Sequence, residues 1–180
     1  MTAAIIQARL TSKRFPNKIM EKLGDKTVLQ HVIDNVRQAE PIKKIIVASP
    51  HPLKFEGAES FIGQEDDVLD RYYRCANEFK IDTIVRITSD CPLLKSNWID
   101  FAVDLFRKNP EPYIIIAPVS GLDVEVFSYR LLQEAWGSTT EPSDREHVTP
   151  YMKRVTNISV DTKEDLEKVR KIYADSNPSS

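Results

Sequence analysis

The chain has 180 residues, of which 41% are hydrophobic and 29% charged, and its formal net charge is -2. This composition excludes a disordered chain, and the length is enough to bury a core without disulfides or a structural metal. We expect one soluble cytoplasmic domain with no membrane partner, because no apolar run reaches the length of a membrane span and MTAAIIQAR lacks a basic leader. Acidic residues outnumber basic ones, 27 to 25, which disfavours a nucleic-acid partner. Cys75 and Cys91 have neither a CxxC spacing nor companion histidines, which predicts buried thiols.

Short β-branched runs alternate with amphipathic stretches along the chain. The predicted strands are Ala4–Gln7, Lys44–Ala48, Thr83–Ile87, Tyr113–Ala117, Val124–Phe127 and Asn157–Val160. The predicted helices are Thr27–Ala39, Asp67–Phe79, Asn97–Phe106, 144–154 and 163–174, the last two beginning at capping boxes formed by Ser143 with Glu146 and by Thr162 with Asp165. This alternation predicts one α/β domain over residues 1–174 with a mainly parallel sheet, followed by a disordered tail at 175–180.

The first predicted strand runs directly into a basic loop. Five cationic side chains face a single acid, Glu21, over a short stretch: Arg9, Lys13, Arg14, Lys18 and Lys22. In an open α/β sheet, ligands bind beyond the carboxyl ends of the strands, where arginine and lysine can hold phosphate oxygens. The loop therefore predicts a polyanion site, and a solvated basic turn is the alternative interpretation.

Two aspartates follow predicted strands. Asp90 closes the run TIVRITSDCPLL, at the same sheet edge as the basic loop, and Asp161 follows the strand NISV. Magnesium prefers oxygen ligands and bridges phosphate oxygens, so both acids are candidate metal ligands. Each could instead cap a helix, Asp90 before Pro92 and Asp161 before KEDLEKVRKIY.

The segments GLDVEVFS and DREHVTP combine acidic groups with other polar side chains. Asp123 and Glu125 alternate with apolar residues, so both carboxylates should point to one face of a strand, where they contact a sugar or are simply solvated. Arg145, Glu146 and His147 lie in the first turn of a predicted helix. His147 is a candidate acid or base, although a lone histidine can also be structural.

Five segments, taken in order, resemble a known family. They are AAIIQARLTSKRFPNKIMEKLG, EDDVLDRYY, VRITSDCPL, GLDVEVFS with DREHVTPY, and VDTKEDLEKVR. The chain resembles the cytidylyltransferases that make CMP-activated acidic sugars, such as CMP-KDO synthetase and acylneuraminate cytidylyltransferase. Within that group it is most similar to the branch of spore-coat polysaccharide biosynthesis proteins.

The resemblance implies a nucleotide-diphospho-sugar transferase fold of the GT-A type, an α/β/α sandwich similar to a Rossmann domain. It also implies a magnesium-dependent reaction in which a sugar attacks the α-phosphate of CTP and pyrophosphate leaves. The product would serve surface polysaccharide or glycan biosynthesis. Relatives are often homodimers, so a dimer is a further expectation. No GxxxxGK[ST] motif and no glycine-rich dinucleotide motif after the first strand are found, which disfavours P-loop and NAD chemistry.

The resemblance also implies roles for individual residues. The catalytic group that grips the triphosphate would be Arg9, Arg14 and Lys18. The nucleotide site would further include Gln7, Ala8, Lys13, Asp67 and Arg71, the last two as base or ribose contacts. Magnesium would be bound by Asp90 and Asp161. The acceptor sugar would lie against Asp123, Glu125, Arg145, Glu146 and His147.

The chain departs from the family by being shorter. The segment between Ser49 and Gln64 leaves little room for the helix that relatives carry there, so a helix should be missing from one side of the sheet. The links 113–121 and 151–160, which flank the presumed sugar site, are also trimmed. A noncatalytic nucleotide- or phosphate-binding module that has lost the acceptor site is therefore the alternative to an enzyme.

Overall fold

The computed structural model describes residues 1–12, 14–108, 112–119 and 121–156, together with Lys163, Leu166, Glu167 and Arg170. The strands are β1 (Thr2–Gln7), β2 (Lys22–Leu23), β3 (Lys26–Thr27), β4 (Lys44–Ser49), β5 (Glu59–Ile62), β6 (Thr83–Thr88), β7 (Tyr113–Ile116) and β8 (Val124–Ser128). The helices are α1 (Val28–Arg37), α2 (Val68–Glu78), α3 (Ser96–Lys108), α4 (Tyr129–Ser138), α5 (Pro142–His147) and α6 (Pro150–Thr156), with a 3-10 helix at Lys18–Met20.

Several predictions fall wholly or partly on residues that the structure does not describe. The four described residues of the predicted helix 163–174 are all helical. The predicted strand Asn157–Val160, the tail 175–180, Lys13 and Asp161 lie outside the described residues.

Six strands form one mixed sheet in the order β5-β4-β1-β6-β8-β7. Strands β5, β4, β1 and β6 are parallel, and β8 runs antiparallel to both of its neighbours. The register places Gln7, the last residue of β1, beside Ala48 on one side and Thr88 on the other. The carboxyl ends of the central strands therefore meet at one edge, which brings the basic loop after β1 next to the turn that carries Asp90.

Helices cover both faces of the sheet, which gives three layers. On one face, α1 and α3 pack against a buried apolar cluster that includes Ile6 and Val85. On the other face, α2, α4 and α6 pack against a second cluster that includes Ile5 and Ile84. Neighbouring strand residues enter different clusters because successive side chains point to opposite faces. The predicted three-layer α/β/α sandwich with a mainly parallel sheet is confirmed.

The helix boundaries agree with the sequence patterns at some positions and not at others. Helix α1 follows Thr27, whose hydroxyl accepts a backbone N–H from the first turn at 3.2 Å. The predicted capping box at Ser143 is wrong. Helix α5 already begins at Pro142 and follows Glu141, whose side chain makes no capping bond. The helix predicted at 144–154 is interrupted as well: Val148 has a φ of 71°, which ends α5 before α6 begins. Within the described residues, no helix combines the length and apolar character needed to cross a membrane.

Strand β5 and helix α4 are not among the predicted elements, because their sequence signals are weak. Strand β5 buries only Phe61 among its four residues, as an edge strand can, so it shows no apolar run. Helix α4 follows β8 without a turn residue between them, and the Ser128 hydroxyl caps it by accepting from the Leu131 N–H at 3.1 Å. The expected absence of a helix between β4 and β5 is confirmed, since residues 50–58 are all described and contain none.

Candidate functional site

A cleft of about 170 Å³ opens at the carboxyl edge of the sheet. Its lining comes from β1 and its loop, α2, the end of β6 and α5: Gln7, Ala8, Arg9, Lys18, Val68, Arg71, Thr88, Ser89, Asp90, Glu146 and His147. A wider space of about 820 Å³ adjoins the cleft and shares Arg9, Lys18 and Glu146 with it. The additional lining of this wider space is Thr11, Ser12, Arg14, Glu65, Asp66, Pro142 and Arg145. The fold thus brings together residues from both halves of the chain around one continuous opening.

The basic loop has a defined shape at the mouth of this cleft. Asn17 adopts a left-handed conformation, with a φ of 57°, which asparagine tolerates better than most residues. Fully buried Ile19 then anchors the far end of the loop in the core. As a result Arg9 and Lys18 line the cleft, and Arg14 lines the wider space. Three of the predicted phosphate-binding cations therefore surround one opening.

Asp90 lies in the turn after β6, where it accepts a hydrogen bond from Lys18 Nζ. Both side chains are about one-third exposed, 34% for Lys18 and 38% for Asp90. Burial by itself would raise the pKa of the Asp90 carboxyl, but the hydrogen bond and the charge of Lys18 hold that pKa below its ordinary value. The carboxylate is therefore ionised at neutral pH, which is the state that a metal ligand requires.

The donor set around Asp90 is suitable for magnesium bound together with a substrate. Magnesium commonly takes one or two carboxylates and completes its coordination with phosphate oxygens and water. Nowhere in the described part of the chain do three acidic, histidine or cysteine side chains gather as a ready-made metal site. One ionised carboxylate beside cations that are predicted to bind phosphate fits the first arrangement, and Asp161, the second predicted ligand, lies outside the described residues.

Arg71 places a buried cation in the cleft wall. Its side chain is only 2% exposed, and one guanidinium nitrogen, Nη1, donates to the Gln64 carbonyl at 2.5 Å. Arg71 Nε is buried without a hydrogen-bond partner, and burial lowers the pKa of this guanidinium. Leaving a buried donor unpaired is costly, and the charge of this guanidinium would attract an anion bound in the cleft. The backbone at Gly63 passes so close that a Cβ there would lie 2.7 Å from Arg71 Cγ.

Asp67 and Arg145, predicted to contact different substrates, contact each other. The Arg145 Nε and Nη2 atoms both donate to Asp67 Oδ2, and the other Asp67 oxygen caps α2 by accepting from the Asp70 N–H at 2.9 Å. Arg145 also donates to the Trp136 carbonyl at 2.9 Å. This cluster fastens α5 to the start of α2, and thereby fixes the part of α5 that carries the cleft residues Glu146 and His147.

The predicted acceptor-sugar residues are distributed over different environments. Glu146 and His147 line the cleft, and Glu146 Oε1 lies 3.9 Å from Arg9 Nη1 across the opening. Asp123 is exposed and precedes β8, and it lines neither the cleft nor the wider space. Glu125 is 2% exposed and also lines neither of them. The two carboxylates of GLDVEV therefore do not share one environment.

Glu125 is the centre of a buried polar network. It pairs across the strands with Arg86, whose Nη1 donates to Glu125 Oε2. The other carboxylate oxygen accepts from Tyr113 Oη at 2.7 Å, Thr149 Oγ1 at 3.0 Å and Lys153 Nζ at 3.0 Å. Burial would raise the pKa of Glu125, but these partners, with Arg86 foremost, hold it below its ordinary value. Both oxygens of Glu125 are thus occupied by this chain's own donors.

Arg86 is a charged residue of this region that was not predicted as part of the site. It is a charged residue within the apolar strand TIVRIT, and its Nε donates to Gln7 Oε1 at 3.2 Å. The sequence did contain a usable signal for this pair. Arg86 lies in one apolar strand and Glu125 in another, VEVFS, and charged residues are seldom buried in such strands unless they are paired. Thr88 and Ser89 also line the cleft and had no signal beyond their position after an apolar strand.

Comparisons with known proteins agree with this geometry. A family model of cytidylyltransferases matches residues 3–176. The uncharacterised protein MJ1063 of Methanocaldococcus jannaschii is 38% identical over 86% of this chain and 68% of its own length. The spore coat polysaccharide biosynthesis protein SpsF of Bacillus subtilis is 28% identical, with 94% of this chain and 85% of SpsF covered.

The solved structure of a cytidylyltransferase from Leptospira borgpetersenii is similar over most of its length. It matches with a TM-score of 0.77 and 27% identity, covering 93% of this chain and 84% of that one. The fold is therefore the Rossmann-like nucleotidyltransferase fold that the sequence motifs implied. With a family model that spans nearly all of its residues, this chain belongs to the cytidylyltransferase family.

Proposed function

We propose that this protein transfers CMP from CTP to an acidic sugar, releases pyrophosphate and uses magnesium as its cofactor. The observation that carries the proposal is the cleft itself, in which Arg9 and Lys18 from the loop after β1 face the ionised Asp90 from the turn after β6. The likeness to SpsF supports a role in surface polysaccharide or glycan biosynthesis.

In this proposal the basic loop binds the triphosphate. Arg9, Arg14 and Lys18, which line the cleft and the wider space, would hold phosphate oxygens, and Lys18 would exchange its present partner Asp90 for a phosphate. Nucleotidyl transfer needs little covalent chemistry from a protein, since positioning and neutralisation of the phosphate charge provide most of the rate. The residues of the loop can supply both.

The reaction would join the sugar to CMP in one displacement. The acceptor oxygen forms a bond to the α-phosphorus, the bond from that phosphorus to the bridging oxygen breaks, and pyrophosphate leaves with the electron pair. Glu146 and His147 line the cleft and can take the hydroxyl proton. Asp90, with Asp161 as the second predicted ligand, would hold magnesium, which when bound neutralises developing charge on the phosphates.

The choice of an acidic sugar has two supports. The sequence motifs resemble those of enzymes that activate acidic sugars, and Arg71 offers a buried cation that no carboxylate of the described residues pairs. An anionic group on the acceptor would be attracted by the charge of Arg71. The identity of the sugar depends on the shape of the pocket, so the acceptor is proposed only as a class.

Calorimetric titration with CTP, UTP, GTP and ATP, each with and without magnesium, tests the nucleotide part of the proposal. We expect CTP to bind in preference to the others and magnesium to tighten it. Absence of binding by any nucleotide would overturn the proposal. A pyrophosphate-release assay with a panel of sugar acids then tests catalysis. CTP binding without pyrophosphate release from any acceptor would favour the noncatalytic binding module.

The variant Asp90→Asn tests the role of the metal ligand. It keeps the size of the side chain but removes the charge, so we expect pyrophosphate release to fall below detection while the protein remains folded by circular dichroism. Asp104→Asn is the matched control, because Asp104 is exposed on α3 and pairs only with Lys108 at 2.7 Å among the described ion pairs. Unchanged turnover in Asp90→Asn would remove Asp90 from the proposed metal site.

A further inference from the structure

The hydrogen bond between Arg86 and Gln7 fixes the direction of an amide group in the cleft. Arg86 Nε lies 3.2 Å from Gln7 Oε1, and a guanidinium can only donate. The Gln7 atom that faces Arg86 must therefore be the oxygen, and the amide NH2 must point away from Arg86. Gln7 lines the cleft, and no described residue accepts a hydrogen bond from its Nε2.

Arg86 is itself held rigidly, from outside the cleft. It is 14% exposed and pairs with Glu125, which is 2% exposed. Glu125 has further donors in Tyr113, Thr149 and Lys153, which belong to β7, to the link before α6 and to α6. A buried pair with these additional partners has few alternative arrangements, so the orientation of the Gln7 amide is set before any ligand arrives.

The surroundings of Gln7 suit the ring of a nucleotide base. Ala8 and Val68 are the buried apolar side chains of the cleft lining, 2% and 6% exposed, whereas the cations Arg9 and Lys18 extend from the basic loop. A triphosphate belongs with those cations, which leaves the apolar part of the same cleft for the base. Cytosine presents two acceptors on one edge, the O2 oxygen and the N3 nitrogen.

We propose that Gln7 donates a hydrogen bond from Nε2 to an acceptor on the pyrimidine ring of CTP. Arg86 and Glu125 are then positioning residues, which hold the amide in the donating orientation without touching the nucleotide. This inference rests on the proposed function, since it assigns one contact within the CTP site.

Two substitutions at Gln7 test the donor. Gln7→Glu keeps the length of the side chain and an oxygen for Arg86, but replaces the donor with a second oxygen, and Gln7→Met removes both polar atoms. We expect Gln7→Met to weaken CTP binding about three- to tenfold and Gln7→Glu more than tenfold, measured by calorimetry. Binding of inorganic triphosphate, which has no base, should change less than about twofold in the uncharged variant Gln7→Met, whereas the added negative charge of Gln7→Glu weakens both ligands.

Lys18→Met is the comparison variant, because Lys18 is assigned to the phosphates. It should weaken CTP and inorganic triphosphate to a similar extent. Wild-type affinity for CTP in Gln7→Glu would overturn the assignment of Gln7. An equal loss of CTP and triphosphate affinity in Gln7→Met would overturn it too, since Gln7 would then act on the phosphates or on the shape of the loop.

The positioning role is tested with the double variant Arg86→Met/Glu125→Gln. Removing both charges avoids leaving one buried ion unpaired, so this variant should fold, which thermal unfolding checks. In 15N-labelled ligand-free protein, the Gln7 side-chain amide gives a pair of signals that is identified by its loss in Gln7→Glu. We expect these signals to shift in the double variant, and CTP binding to fall as in Gln7→Met with triphosphate binding retained. Wild-type CTP affinity in a folded double variant would refute the positioning role.

Failure of the proposed function would look different from failure of this inference. If the wild-type protein binds no nucleotide, both fail together. If it binds CTP and the Gln7 variants bind CTP equally well, only the contact assigned to Gln7 is lost and the cytidylyltransferase proposal stands.

Discussion

The buried pair of Arg86 and Glu125 makes a quantitative prediction about stability. Arg86 is 14% exposed and Glu125 is 2% exposed, so each charge depends on its partner. Breaking a buried ion pair from one side typically costs about 3–5 kcal/mol. In Arg86→Met, Glu125 keeps donors from Tyr113, Thr149 and Lys153, so we expect the lower end of that range, about 3 kcal/mol.

The single variant Glu125→Gln should cost a similar amount, since it leaves the guanidinium without an anion. The double variant should cost less than the sum of the two single variants, with a coupling energy of at least about 2 kcal/mol, because neither buried ion is then stranded. Urea unfolding at pH 7, monitored by circular dichroism and fitted with one common denaturant slope for all variants, gives the three free energies. A loss below about 1 kcal/mol in Arg86→Met, or strict additivity in the double variant, would refute the reasoning.

The same pair predicts how stability depends on pH. The folded-state pKa of Glu125 is held below its ordinary value of 4.5. A carboxyl with a lowered pKa contributes stability that is present above the unfolded value and is lost as the pH falls through the folded value. The wild-type protein should therefore lose more free energy of unfolding below pH 4.5 than Glu125→Gln does, which unfolding curves recorded at descending pH would measure.

Three smaller perturbations test other parts of the fold by urea unfolding. Asp67→Ala removes the cap of α2 and its ion pair with α5, and should lower the free energy of unfolding by about 1–2 kcal/mol. The exposed neighbour Asp66→Ala should change it by less than about 0.5 kcal/mol, and equal effects would contradict the capping role of Asp67. Gly57→Ala should cost about 1 kcal/mol, because Gly57 has a φ of 80° and a Cβ would lie 2.7 Å from Arg37 Nη1; a stabilised variant would disprove this strain. Tyr72→Phe should cost about 1 kcal/mol, since its buried hydroxyl donates to a β1 carbonyl at 3.1 Å; no loss would mean that the bond contributes nothing.

Much of the fold could be predicted because its central strands carry strong local signals. The runs at β1 and β4 are apolar on both faces, as strands covered on both sides usually are, and β6 is apolar apart from Arg86; the predicted and observed bounds of these three strands differ by at most two residues. The basic loop and Asp90 could also be placed at one sheet edge, since parallel strands end together. The structure puts Lys18 and Asp90 in direct contact there.

Contacts between distant polar residues could not be predicted in the same way. Asp67 and Arg145 are far apart in the chain, and each was matched to a different ligand from its own motif. The partner of such a side chain depends on how α2 and α5 pack, which no local pattern records. Glu125 illustrates the same limit, because alternation correctly indicated its strand but not that the chain's own donors would surround it.

The ion pairs of the free cleft have a consequence for how substrates would bind. Lys18 already pairs with Asp90, and Arg9 lies 3.9 Å from Glu146, so the charges assigned to phosphate and metal are engaged before a ligand arrives. On the proposed function, a triphosphate would compete with Asp90 for Lys18, and a metal ion would compete with Lys18 for Asp90. Binding of either one therefore releases the partner that the other needs. An ion pair as exposed as that of Lys18 and Asp90 contributes at most about 1 kcal/mol, so breaking it costs little. On the proposed function, this exchange of partners favours joint binding of nucleotide and magnesium over binding of either alone.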